Sequence, residues 1–329
     1  MTNNLKKISP KDSYEYITRI CKLANLSEVE LIMTHLGHRP ATAAAIPSDS
    51  RLEKNIDSIQ KYALKIGLHM VVSKKLITDK KYVIEDQKNE SHAGRIIFAF
   101  SKSKNKAALA AKYFYMKSFD NEISHKFGEL MGYPDCCLDF GKYMCNPECD
   151  SSNFGYKNPA IESLKRSNKF DWHLNIFTTS LLSHFPCSLT CTKSIKYINK
   201  LFKYYDSVDE VYSKTLKNML ITPASLYWSW VDRILLYGFF KSNKLGTGEI
   251  NYYKIGSMIY SKSFHQQNEN GFDIKWKNIE EYLRQGNKLT VTDDSCIIYM
   301  NKKRIVEIKK NNKYIPLLIK PNIFPNETD

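Results

Sequence analysis

No apolar run in this chain approaches the ~20 residues that a membrane-spanning helix requires. The longest, Ile234-Leu235-Leu236-Tyr237-Gly238-Phe239-Phe240, is the size of a strand. The opening Met1-Thr2-Asn3-Asn4-Leu5-Lys6-Lys7 has neither an apolar h-region nor a small-residue cleavage site, so a cytoplasmic, reducing location is expected. G-x-G-x-x-G and phosphate-loop runs are missing, which leaves nothing to support a Rossmann or P-loop nucleotide site. A C-x3-C-x2-C run is missing too, and with it the three-cysteine loop of radical S-adenosylmethionine chemistry. No internal repeat or low-complexity linker breaks the chain. Negative charge is scarce: 34 Asp and Glu face 49 Lys and Arg, a net charge of +15. That balance permits binding to nucleic acid or an anionic cofactor. The excess is mostly lysine, however, spread from Lys6-Lys7 through Lys74-Lys75 and Lys80-Lys81 to Lys302-Lys303-Arg304 and Lys309-Lys310. Asn, Ile and Tyr are abundant beside it, as AT-rich coding would produce. With no arginine-rich element or aromatic–basic signature, nucleic acid is not the favoured partner.

Cysteine is what the chain does have. Six of the eight cysteines fall within 56 residues, and in pairs. Cys136 and Cys137 are adjacent, Cys145 and Cys149 are spaced C-x3-C, and Cys187 and Cys191 repeat that spacing. In a reducing compartment such pairs are more often metal ligands or redox groups than disulfides. Cys21 and Cys296 stand alone and read as small hydrophobes.

Pro134 and Pro186 each suit the first turn of a helix. Cys136 and Cys137 are then expected at one helix start. Cys187 and Cys191 are expected at i, i+4 on one face of a second helix running from Pro186 through Tyr205. Helix N-termini favour thiolates, so two facing starts would present four of them. Neighbouring side chains diverge, which favours an iron–sulfur cluster with separate irons over one tetrahedral zinc. The C-x3-C pairs remain tolerable for zinc. The full pattern CC-x7-C-x3-C-x37-C-x3-C matches no ferredoxin run. Structural zinc, a thiol redox or sulfur-relay centre, and buried inert cysteines are the competing readings. His184 could ligate, donate to a cluster sulfide, carry protons or cap the helix. Asp135 and Asp139 could orient it, act as acid or base, or simply suit the helix dipole. Tyr133 packs or donates its hydroxyl. His35 and His38 have ligand-like spacing but read as surface or turn residues.

Apolar periodicity predicts an α+β protein. Residues 1–66 read as helical, with Ser27-Glu28-Val29-Glu30 as a capped start. Residues 67–230 hold strands at Leu68–Ser73 and Arg95–Phe100 and a charged hairpin between Lys80 and Asn89. Helices near 106–116 and 121–131 follow, and then a mostly helical cysteine region. Residues 231–329 read as a β-meander whose last hairpin turns at Asn311-Asn312.

Gly132-Tyr133-Pro134-Asp135-Cys136-Cys137 with Phe140, followed by His184-x-Pro186-Cys187-x3-Cys191, resembles an uncharacterised prokaryotic family with a GYPxCCxxxF and HxPCxxxC motif. Phe98–Lys102 and Gly128–Met131 are similar to that family's approach to the motif. The resemblance covers roughly 95–194 and implies no activity; Cys145 and Cys149 lie outside it.

The resulting expectation is a cytoplasmic metalloprotein holding a 4Fe-4S cluster on Cys136, Cys137, Cys187 and Cys191. His184 is expected beside the cluster or as a replacement ligand, and His184, Asp135 and Asp139 as the catalytic candidates. Redox or sulfur-transfer chemistry on a small or carrier-bound substrate, with an electron donor, is the expected activity. The alternative is a non-catalytic zinc-stabilised module that binds nucleic acid or a protein through its basic surface.

Overall fold

The structure, a computed structural model, describes residues 8–47, 50–73, 95–116, 121–144, 159–227, 233–242, 244–259, 278–310 and 317–321. Cys145, Cys149, the Lys80–Asn89 hairpin and the Asn311-Asn312 turn lie outside the described residues. The fold is mixed α+β, helical toward the N-terminus with a meander toward the C-terminus. It clusters into two compact units, Met1–Lys142 with Asn199–Glu210 and Tyr143–Ile198 with Val211–Asp329.

In the first unit α1 (Pro10–Ala24) starts on Ser9, whose hydroxyl accepts from Asp12 N at 3.1 Å, and ends on Asn25 in the left-handed region. Ser27 precedes α2 (Glu28–His35) as expected but forms no side-chain cap. The helical N-terminal reading then fails at β1 (Thr42–Pro47). This alanine-rich stretch pairs antiparallel with β3 (Arg95–Ser101), and β2 (His69–Ser73) pairs on β3's other side. Burial overrides alanine's helix preference here. Its small side chains let Ala43, with Ile97 and Ala99, pack against Ala110 and Ala111 of α4 (Lys104–Met116) and Phe127 of α5 (Asn121–Leu130). Ile96, Phe98 and Phe100 are buried on the opposite face of β3, so the whole run is apolar. Helix α3 (Ser50–Lys65) lies between β1 and β2 in sequence and packs on α1.

The second unit holds α7 (Pro159–Lys165), a single 3-10 turn at Trp172–Leu174, α9 (Glu210–Ile221) and a seven-stranded antiparallel sheet. Its strands are β4 (Ala224–Tyr227), β5 (Arg233–Lys241), β6 (Gly248–Ile259), β7 (Lys288–Val291), β8 (Ser295–Met300), β9 (Lys303–Lys309) and β10 (Leu317–Ile319). The order β10-β4-β5-β6-β7-β8-β9 is the expected meander, extended at one edge by β4 and β10. Ile234, Leu236, Ile250, Leu289, Cys296, Ile298 and Ile308 alternate toward a core closed by Ile279 and Leu283 of α10 (Ile279–Gln285). The described residues also include α6 (Asp135–Met144) and α8 (Thr192–Val208). No helix among the described residues is long and apolar enough to cross a membrane.

Candidate metal centre

The first cysteine pair owes its position to how α5 ends. Tyr133 N donates to Gly128 O at 3.0 Å and Gly132 N to Glu129 O at 2.9 Å, the paired bonds of a Schellman turn. Gly132 sits at φ +72°, and a side chain there would meet Pro40 Cδ at 3.1 Å and the Arg39 backbone at 3.3 Å. Buried Arg39 fixes that wall, donating to Ala41 O at 2.8 Å and lying 5.6 Å over the Tyr133 ring. Pro134 then opens α6: its carbonyl accepts from Cys137 N at 2.8 Å and Leu138 N at 2.9 Å. Cys136 and Cys137 therefore occupy the first turn, as expected, with Phe140 and Leu138 burying the helix's apolar side.

The second pair does not lie on a helix. Chain 186–191 is an irregular loop, and α8 begins only at Thr192. The groups a helix would need are engaged elsewhere. The Ser163 hydroxyl donates to Pro186 O, Leu189 N donates to Ser167 Oγ at 2.6 Å, and Asp171 N donates to Leu189 O at 3.0 Å. Leu189, between the two cysteines, is fully buried among Phe170, Phe177, Tyr227 and Leu317. A straight helix would have to withdraw that plug. Cys191 instead ends a turn, its N donating to Ser188 O at 3.2 Å, while its carbonyl accepts from Ile195 N at 3.0 Å to start α8. These bonds to Ser163, Ser167 and Asp171, with the buried Leu189, hold the loop that carries Cys187 and Cys191.

The two pairs converge. The sulfurs of Cys136, Cys137, Cys187 and Cys191 all lie within 4.8 Å of one another, with Cys137 and Cys191 buried and the other two half-buried. Cys136 Sγ and Cys137 Sγ are 4.0 Å apart, so adjacency in sequence does not make these thiols diverge. Four thiols so disposed could hold a metal.

His184 is not in this group. Its Nε2 lies 3.1 Å from Ser194 Oγ, in the first turn of α8, so the helix it touches starts at Thr192 rather than Pro186. Asp135 and Asp139 are exposed on α6 and outside the group as well; Asp135 suits the positive end of the helix. His35 is half-buried, its Nδ1 2.9 Å from Ile66 O, and burial first, then Lys102, lowers its pKa against that bond. Cys21 and Cys296 are buried alone, and burial raises both thiols. Sequence reasoning passed over the residues that hold the loop. Asp171 accepts from His173 N at 2.9 Å and approaches His173 Nδ1 at 2.6 Å. The Asp-x-His spacing of that side-chain turn was the available signal. Comparison with protein-family models, with curated proteins and with solved structures finds no match to this chain.

Proposed function

We propose that Cys136, Cys137, Cys187 and Cys191 hold one zinc ion, and that the chain is a metal-stabilised, non-catalytic α+β module. The sulfur spacing carries this reading. A tetrahedral ion with metal–sulfur bonds of about 2.3 Å needs sulfurs about 3.8 Å apart. A cubane cluster spreads its four thiolates to corners roughly 6 Å apart. A group spanning no more than 4.8 Å, with one pair at 4.0 Å, is suited to the single ion and too tight for the cluster. Four thiolates also close a tetrahedral site and leave no position for substrate, the arrangement of structural rather than catalytic zinc. The bonded loop and the Schellman turn that precedes α6 add rigidity, and zinc binding to such a set contributes directly to folding.

Metal analysis of anaerobically purified protein tests the reading. One zinc per chain in a colourless sample is expected, and cobalt exchanged into the site should give the intense visible bands of a tetrahedral tetrathiolate. A brown sample carrying iron and acid-labile sulfide would overturn it and return the site to redox or sulfur-transfer chemistry. A single iron without sulfide would keep the one-ion geometry and exclude zinc.

A further inference from the structure

We propose that the exposed lysine stripe of α8, joined by Lys102 and His38, is a surface that binds the phosphate backbone of nucleic acid. Lys193, Lys196, Lys200 and Lys203 recur in steps of three, four and three, which lines them along one helix face. All four are exposed. Neighbours at that spacing sit about 5–6 Å apart, of the order of successive phosphates on a strand. The first carboxylate of α8 is Asp206, at its far end. Among the described residues no carboxylate pairs with Lys102, Lys196, Lys200 or Lys203.

The stripe thickens at Lys200. Its ammonium lies 3.5 Å from His38 Nδ1, on the turn that follows α2. Lys102 reaches the same turn, its Nζ 3.4 Å from where a side chain on Gly37 would begin. Burial, then Lys200 and Lys102, lowers the His38 pKa, and no carboxylate opposes them. Like charges gathered without a counter-charge are unfavourable until an anion arrives.

The chemistry of the patch selects the anion. None of the large hydrophobic side chains exposed among the described residues lies on α8, so the stripe lacks the aromatic or aliphatic anchor of a protein interface. Ile198, Leu201, Phe202 and Tyr205, the apolar side of the helix, are buried and unavailable to a bilayer. A purely cationic track contacts backbone phosphates and reads no sequence. The inference does not depend on which metal the cysteines hold.

Fluorescence anisotropy with labelled duplex and single-stranded oligonucleotides of mixed sequence, read across a salt series, tests it. Four phosphate contacts predict a slope of log affinity on log salt of about −3.6 for duplex DNA and about −2.8 for a single strand. The variant Lys193→Gln/Lys196→Gln/Lys200→Gln/Lys203→Gln should bind about tenfold or more weakly and lose most of that slope. Gln keeps the helix propensity of Lys, and circular dichroism should show the fold intact. A control with the same charge loss at exposed Lys54, Lys61, Lys241 and Lys303 should bind nearly as the unmodified protein does. No binding by the unmodified protein at low salt, unchanged binding by the α8 variant, or an equal loss in the control would each overturn the proposal. Preferential binding to anionic phosphatidylserine vesicles would overturn it in favour of a membrane surface.

Discussion

Replacing Gly132 and Gly141 by alanine, one at a time, should move stability in opposite directions although the residues are nine apart. At Gly132 the backbone φ of +72° costs an L-residue about 1–2 kcal/mol. The added Cβ would press Pro40 Cδ at 3.1 Å and Arg39 Cα at 3.3 Å. The second is backbone, held by a buried arginine, and cannot move aside cheaply. The sum is about 2–3 kcal/mol, a roughly 30-fold or greater fall in the folded-to-unfolded ratio and, for a chain of 329 residues, about 3–4 °C in Tm. Gly141 lies within α6, and its added Cβ would meet nothing within 4 Å. There alanine relieves the entropy cost of a helical glycine and should stabilise by about 0.5–1 kcal/mol. Urea unfolding of metal-replete protein, followed by circular dichroism, measures both. Because the Gly132 turn aims Cys136 and Cys137, Gly132→Ala should also yield its metal to a chelator at lower chelator concentration. An unshifted midpoint for Gly132→Ala, or a destabilised Gly141→Ala, would refute the account of how the helix start is positioned.

Changing Cys136, Cys137, Cys187 or Cys191 singly to Ser should strip most of the metal, because each removes a thiolate from a closed set; Cys21→Ser and Cys296→Ser should retain it, as metal analysis after gel filtration will show. His184→Gln should keep full metal content, since the imidazole approaches Ser194 and is no member of the sulfur group. Burial pushes the Cys296 thiol up from 9.0 to about 12, against a smaller lowering by Lys310. The folded state thus favours the neutral thiol: this stability is complete below pH 9.0 and is lost as pH rises toward about 12. Urea midpoints measured at rising alkaline pH should therefore fall less steeply in Cys296→Ala, by at most about 1.4 kcal/mol per pH unit.

Local chemistry settled much of this protein before any tertiary contact formed. The periodicity of Ser13–Leu23, the glycine and proline flanking Tyr133, and the alternating strands from Asn251 to Ile308 dictate their elements, because each pattern commits one face to a core. The four thiols that could hold a metal were legible as paired soft ligands. Tertiary structure decided the rest. Alanine-rich Thr42–Pro47 is a strand only because β3 offers a partner and α4 a close-packed face. Chain 186–191 is a loop only because Ser163, Ser167 and Asp171, distant in sequence, take its backbone bonds and a core takes Leu189. The distance between the sulfurs depends on those same long-range contacts, and no spacing along the chain encodes it.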